Sequence, residues 1–420
     1  MTFPTLPCEI LRSIFAFLPS MPIVDHHIKR SDLFNCSLVS CDWRAAALQK
    51  IWYKLYLEYI DDTGRDTVER FVASIVDSAG GAPQGYVHGF RLVRVLDFMV
   101  FEDTNRNVLG ANHLVHRTSP VLRIMHLFSP GQIHEIWYYL PRRQQALLPD
   151  IMCSALVKNL RLFSINVFQV SADDGVLQRL PKELEVLHVN GYKVDPEEDT
   201  SDEVPSSLES IFLLPCLNCL VLREINSIQL SSFKKYLCNY GHNLRRLEIQ
   251  YCLNLITESV IDHIIKCPNL AHLALFSTAK APQRVCEDTL CEDTLCSLVG
   301  PSTPIRDLQL VQLNAVSNRF LAHCAAHGYN LHSLVVVDAN DRITGDGILD
   351  VGAWRGMANL QILPATRNPV SDVTMNKGFV EAVRKVAGRM KICLVGNHRL
   401  NDTKRIGISQ LRDDIGNEVD

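Results

Sequence analysis

No stretch of about 18 consecutive apolar residues occurs anywhere in the chain, so nothing in it reads as a membrane-spanning helix. The opening MTFPTLPCEILRSIF lacks the charged region and clean apolar run of an export signal. A dominant charge is missing too. The 42 Lys and Arg against 46 Asp and Glu leave a net −4, and no basic stripe offers a nucleic-acid footprint. G-x-S-x-G, H-E-x-x-H and Walker A sequences are absent, and Gly80-Gly81 lacks the Lys and Ser/Thr of a phosphate loop. No catalytic residue is therefore expected, and no cofactor.

The 14 Cys are scattered rather than set in a dense framework, which fits reduced thiols in a cytoplasmic or nuclear protein. Cys216 and Cys219 form the only C-x-x-C, without a second pair at zinc spacing, and residues three apart on a strand point to opposite faces. Cys286, Cys291 and Cys296 belong to a tandem copy of CEDTL that reads as a local duplication lengthening one helical return. His26-His27 sits in a polar loop. No metal site is expected.

What is present is a repeat. Residues 244–275 read LRRLEIQYCLNLITESVIDHIIKCPNLAHLAL, in which Leu244, Leu247 and Ile249 form L-x-x-L-x-L and Leu270, Leu273 and Leu275 repeat it after 270 − 244 = 26 residues. Alternation sends Leu247 and Ile249 to one face of a short strand and Arg246, Glu248 and Gln250 to the other. Cys252 follows where the chain must turn and satisfy its backbone groups. Thr257 is placed to cap a helix carrying Val260, Ile261, Ile264 and Ile265, which Pro268 ends. A single unit cannot bury its apolar face, whereas stacked copies can.

The triplet recurs from Val93, Leu122, Leu160, Leu184, Leu217, Leu244, Leu270, Ile305, Leu331, Leu360 and Met390. Helical returns with the same grammar carry Phe233, Tyr236 and Leu237 before Asn243-Leu244, and Phe320, Leu321 and Cys324 before Asn330-Leu331. This pattern resembles leucine-rich repeats. The resemblance implies an α/β solenoid, curved, with parallel strands on the concave face and helices on the convex one, over residues 90–396. The acidic DPEEDTSDEVPSS reads as a solvated loop within it. Residues 397–420 form a polar tail.

The first fifty residues differ. Ile10, Leu11, Ile14, Phe15 and Leu18 make one apolar helical stripe; Ser31 and Ser40 are placed to cap two more helices, the last with Trp43, Ala46 and Ala47. LPCEILRSIFAFL followed by DLFNCSLVSCDWRAAALQKIW resembles an F-box at residues 4–53, with Pro19 to Ser31 longer than the family's usual linker and expected to loop out. That resemblance implies a small three-helix module binding the Skp-type adaptor of a cullin-RING ligase, through Leu6, Pro7, Ile10, Leu11, Ile14, Leu38, Val39 and Trp43, with Pro7 and Leu11 foremost. Residues 54–89 read as a helical connector, from the apolar face of Tyr56, Tyr59 and Ile60 and from the breaks at Gly80, Gly81, Pro83 and Gly85.

On the concave face the residues between buried positions would meet a protein target: Asp97, His126, His188, Asn190, Arg223, Arg246, Glu248, Gln250, His272, Phe276, Asp307 and Gln309. Mixed charge with an aromatic suits a protein better than a polyanion. The two resemblances together imply a non-enzymatic substrate receptor of an SCF-type ubiquitin ligase, a subunit that holds a target while another subunit carries ubiquitin. The same layout would also serve a non-degradative scaffold or inhibitor.

Overall fold

The computed structural model describes residues 7, 10–11, 35–59, 91–100, 128–139, 155–167, 177–191, 206–225, 228–277, 290–313, 315–339, 358–364 and 391–394. The chain divides into two compact units, Met1–Leu184 and Glu185–Asp420.

In the first unit, helix α1 (Cys41–Tyr53) begins at Ser40, whose hydroxyl accepts from the Trp43 backbone N–H at 3.3 Å. It buries Ala46 and Ala47 against Leu11, and Cys36, Trp43 and Ile51 pack around that small core. Residues 10–11 and 35–37 are helical as well, so α1 is the only one of the three expected helices described along its length. The Pro19 to Ser31 linker lies outside the described residues.

The expected helical connector is corrected at its start. Lys54–Tyr59 is strand β1, paired in parallel with β2 (Val95–Val100), because Leu55, Leu57 and Tyr59 alternate along an extended chain and register onto Leu96, Phe98 and Val100. Strand β3 (Glu135–Tyr139) follows, then β4 (Leu162–Val167), each parallel to the one before. The triplet expected from Leu122 lies outside the described residues; the strand that pairs with β2 carries Ile136 and Tyr138, and Ile133 stands just before it, all three fully buried. At the register position of Tyr138, β2 carries Phe98 and β4 carries Ile165.

The second unit is more regular. Strands β5 (Val186–Gly191), β6 (Cys219–Arg223), β7 (Arg246–Gln250), β8 (His272–Phe276), β9 (Asp307–Val311), β10 (Ser333–Ala339), β11 (Asn359–Pro364) and β12 (Lys391–Leu394) pair in parallel in chain order. Leu187, Leu220, Leu247, Leu273, Leu308, Leu334 and Leu360 stand in one register row, each with no exposed surface. That row shifts the last two triplets: Leu360 and Ile362 on β11 and Ile392 and Leu394 on β12 hold the aliphatic positions, rather than the triplets expected from Leu360 and Met390. On β12 the slip is a single residue, which exchanges the two faces.

The returns are helical: α2 (Leu230–Tyr240), α3 (Glu258–Ile264), α4 (Glu292–Ser297) and α5 (Asn318–His327), with neighbours in contact. Each buries the residues its period requires: Phe233, Tyr236 and Leu237 on α2, and Val260, Ile261 and Ile264 on α3. The return before β6 is instead a 3-10 turn, Ser206–Leu213, whose Phe212 packs on Phe233 and Tyr236 at ring separations of 5.6 and 5.5 Å. The second CEDTL copy starts α4, with Cys291 at its cap.

Two devices stitch repeat to repeat. Asn159, Asn243, Asn269 and Asn330 each donate a side-chain N–H to a carbonyl one repeat earlier, those of Gly131, Pro215, His242 and Thr303, at 2.6 to 2.9 Å. At the far end of the strands, Glu224, Tyr251 and Gln312 take left-handed backbone angles (φ 56°, 59° and 56°), and their N–H groups reach the next strand at Gln250, Phe276 and Val337. That conformation costs a non-glycine residue about 1 kcal/mol. Here the inter-repeat hydrogen bond accompanies it. At the matching place on β5 the chain uses Gly191, where a Cβ would collide with the Glu224 carbonyl.

Candidate functional site

Two surfaces emerge. On the helical segment, Pro7 is exposed, as are Ile10 (46%), Leu38 (62%) and Val39 (63%), an unusual density of apolar side chains in solvent around so small a core. Leu11 departs from the expectation for it. Its side chain has no exposed surface because it packs over Ala46 and Ala47, so it holds the module together from inside. Trp43 is half-buried against the same core. Leu6 and Ile14 lie outside the described residues.

The second surface is the open face of β5 to β9, where strand alternation turns the residues between the buried leucines outward. His188, Asn190, Gln250, His272, Phe276, Asp307 and Gln309 are half-buried there, and Arg223 and Arg246 are exposed. The register brings the expected residues together: Asn190 lies opposite Arg223, Arg223 opposite Gln250, and Gln250 opposite Phe276. Phe276 meets Tyr251 edge-to-face at 6.0 Å.

Glu248 is at the centre of this face and is only 7% exposed, which corrects its expected role as a contact residue. Arg246 Nε donates to it at 2.6 Å and Gln250 Nε2 at 2.7 Å, while His272 Nε2 lies 3.5 Å away. Burial pushes the carboxyl pKa up, but the nearby His272 ring, the Arg246 bond and charge and the Gln250 bond outweigh it and hold the group at about 2. The carboxylate is spent on its own neighbours. In return it holds the side chains of Arg246 and Gln250 in place.

Asp97, in the first unit, is likewise buried, 2.6 Å from Lys54 Nζ, which in turn stands over the Trp137 ring at 5.9 Å. Its carboxylate is therefore also engaged within the chain. His126 lies outside the described residues.

Cys219 and His188 come within 3.9 Å on the same open face, the one Cys–His approach among the described residues with a thiol and ring in contact. Burial raises the Cys219 thiol to about 11 and lowers the His188 imidazole. At neutral pH both are uncharged, a poor arrangement for a thiolate nucleophile. Cys216 and Cys219 are both free thiols, and no group of three or more metal-ligating side chains exists among the described residues. Among the same residues no helix is long and apolar enough to cross a membrane.

Alternation along the strand also misses a set of side chains. One residue before each strand, at its upstream edge, stand Arg245, Ala271, Arg306 and His332, of which all but Ala271 are exposed. The doublet Arg245-Arg246 was the available sign of them.

Strand, turn and helical return, repeated with parallel pairing, make this a leucine-rich-repeat-like α/β solenoid preceded by a helical segment. That segment, residues 3–58, matches the family described as F-box-like. Among solved structures the chain is similar to the leucine-rich repeat-containing protein LegL7 from Legionella pneumophila, with 15% identity and a TM-score of 0.42 over 72% of this chain and 95% of that one. No curated protein matches it.

Proposed function

We propose that this chain is the substrate-recognition subunit of an SCF-type ubiquitin ligase, its F-box-like segment docking on a Skp-type adaptor and its repeats holding a protein target. The observation that carries the reading is the F-box-like match over residues 3–58 in the same chain as a repeat array. The exposed Pro7, Ile10, Leu38 and Val39 support it, since apolar side chains left in water become favourable once a partner covers them. The work is positional: tethering raises the effective concentration of the target's lysines near a ubiquitin-loaded enzyme on another subunit, in the cytoplasm or nucleus.

The test is binding of the purified full chain to a Skp-type adaptor, beside Pro7→Ala with Leu38→Ala. Both positions are exposed, so the variant keeps its fold. Tight binding by the parent and its loss in the variant is the expected result. A folded parent that ignores the adaptor would overturn the proposal.

A further inference from the structure

At the upstream edge of the second unit the carbonyl just before each strand accepts two N–H groups from the next repeat. Arg245 O takes Ala271 and His272, both at 2.9 Å; Ala271 O takes Arg306 and Asp307 at 2.8 and 3.0 Å; Arg306 O takes His332 and Ser333 at 2.7 and 2.9 Å. These bonds lock Arg245, Ala271, Arg306 and His332 into one row at the inter-strand spacing. Neighbours are about 4.8 Å apart and the two arginines about 10 Å apart.

The same pattern begins two positions earlier with Glu185 and Asn218, and from Arg245 to His332 the charges in the row are those of Arg245 and Arg306. Arg245 and Arg306 are exposed and have no ion-pair partner among the described residues, and Arg246 is exposed beside them. The acids nearby are withdrawn: Glu248 is buried beneath Arg246, Gln250 and His272, and Asp307 is half-buried. A chain with a net charge of −4 thus presents a local cationic edge.

Resting on the reading of the repeats as target-binding, we infer that the upstream edge of β7 to β10 docks an extended acidic peptide segment of the target, whose Asp or Glu carboxylates seat on Arg245 and Arg306. An extended polyproline-type chain rises about 3.1 Å per residue with three residues per turn, so acids three positions apart share a side at about 9 Å, close to the arginine spacing. Each guanidinium donates paired N–H groups to the oxygens of one carboxylate. A single-stranded nucleic acid is the competing occupant, and the oligonucleotide arm of the experiment decides against it.

The experiment measures anisotropy of a labelled Pro/Ala peptide with Glu at every third position, against its Gln counterpart and a single-stranded oligonucleotide of equal charge, on the full chain. The Glu peptide should bind, bind more weakly as salt rises, and lose roughly tenfold in affinity with Arg245→Ala and Arg306→Ala together. Arg245→Lys with Arg306→Lys should keep more of the binding. No binding by the folded parent, equal binding of the Gln peptide, an unchanged double-alanine variant or tighter binding of the oligonucleotide would each overturn the inference. Adaptor binding is followed on the same samples and should not respond to either arginine variant. Peptide binding without adaptor binding would sink the ligase reading alone, and the reverse would sink this one alone.

Discussion

The helical segment and the second unit present opposite surfaces. The segment places Ile10, Leu38 and Val39 in water around a core whose fully buried side chains among the described residues are Leu11, Ala46 and Ala47. The repeats bury every aliphatic side chain of β6 to β8, and their exposed strand residues are Arg223 and Arg246. A module with little core keeps apolar area for a partner to cover, and its binding is nearly indifferent to salt. An array with a deep core needs no partner to complete it and contacts others through charge, which salt weakens.

Substitutions sharpen this contrast. The largest effect is expected inside the array: Leu247→Ala removes a fully buried side chain from a packed row and should cost about 3 kcal/mol in urea denaturation. Leu38→Ala, by contrast, should move stability by less than about 0.5 kcal/mol while weakening adaptor binding. Equal costs at the two positions would break the contrast.

Acid comes next. The Glu248 carboxyl is depressed from 4.5 to about 2, so its contribution is fully present above the ordinary value and is lost as pH falls through the folded one. Stability should decline by roughly 2–3 kcal/mol between those values, and Glu248→Gln should flatten that part of a pH titration of the melting temperature. A variant with the parent's acid profile would show that the network is not what titrates.

Smaller still is the asparagine ladder. Asn243→Ala leaves the Pro215 carbonyl without its 2.8 Å donor and should cost about 1 kcal/mol. The smallest effect has the opposite sign: Glu224→Gly relieves a left-handed residue and should stabilise by about 0.5 kcal/mol in the same assay, if the inter-repeat hydrogen bond persists.

Much of the second unit was legible in the residues. Triplets from Leu184 to Leu331 stand where alternation and spacing put them, and Cys252 does what its place demanded, accepting from the Ile225 N–H at 3.3 Å and donating to the Gln250 carbonyl. Elsewhere the local signal was ambiguous. KLYLEYI carries apolar residues for a helix and for a strand alike, and β1 became a strand because β2 offers it a ladder. Ile136 and Tyr138 carry the alternation on the strand that pairs with β2.

The amino-acid sequence by itself determined the unit: apolar residues at two periods, a cap, a stop and a return length, all of which are local. It also separated the first fifty residues from the rest by pattern alone. Only the tertiary structure decided which carboxylates and arginines remain available. Glu248 meets Arg246 and Gln250 two residues away on its own strand, but His272 arrives from the next repeat. Arg245 and Arg306 become neighbours in a row only once β8 lies between their strands. Local periodicity orients a side chain to a face, whereas its charge is spent or kept according to what the stacking register sets beside it.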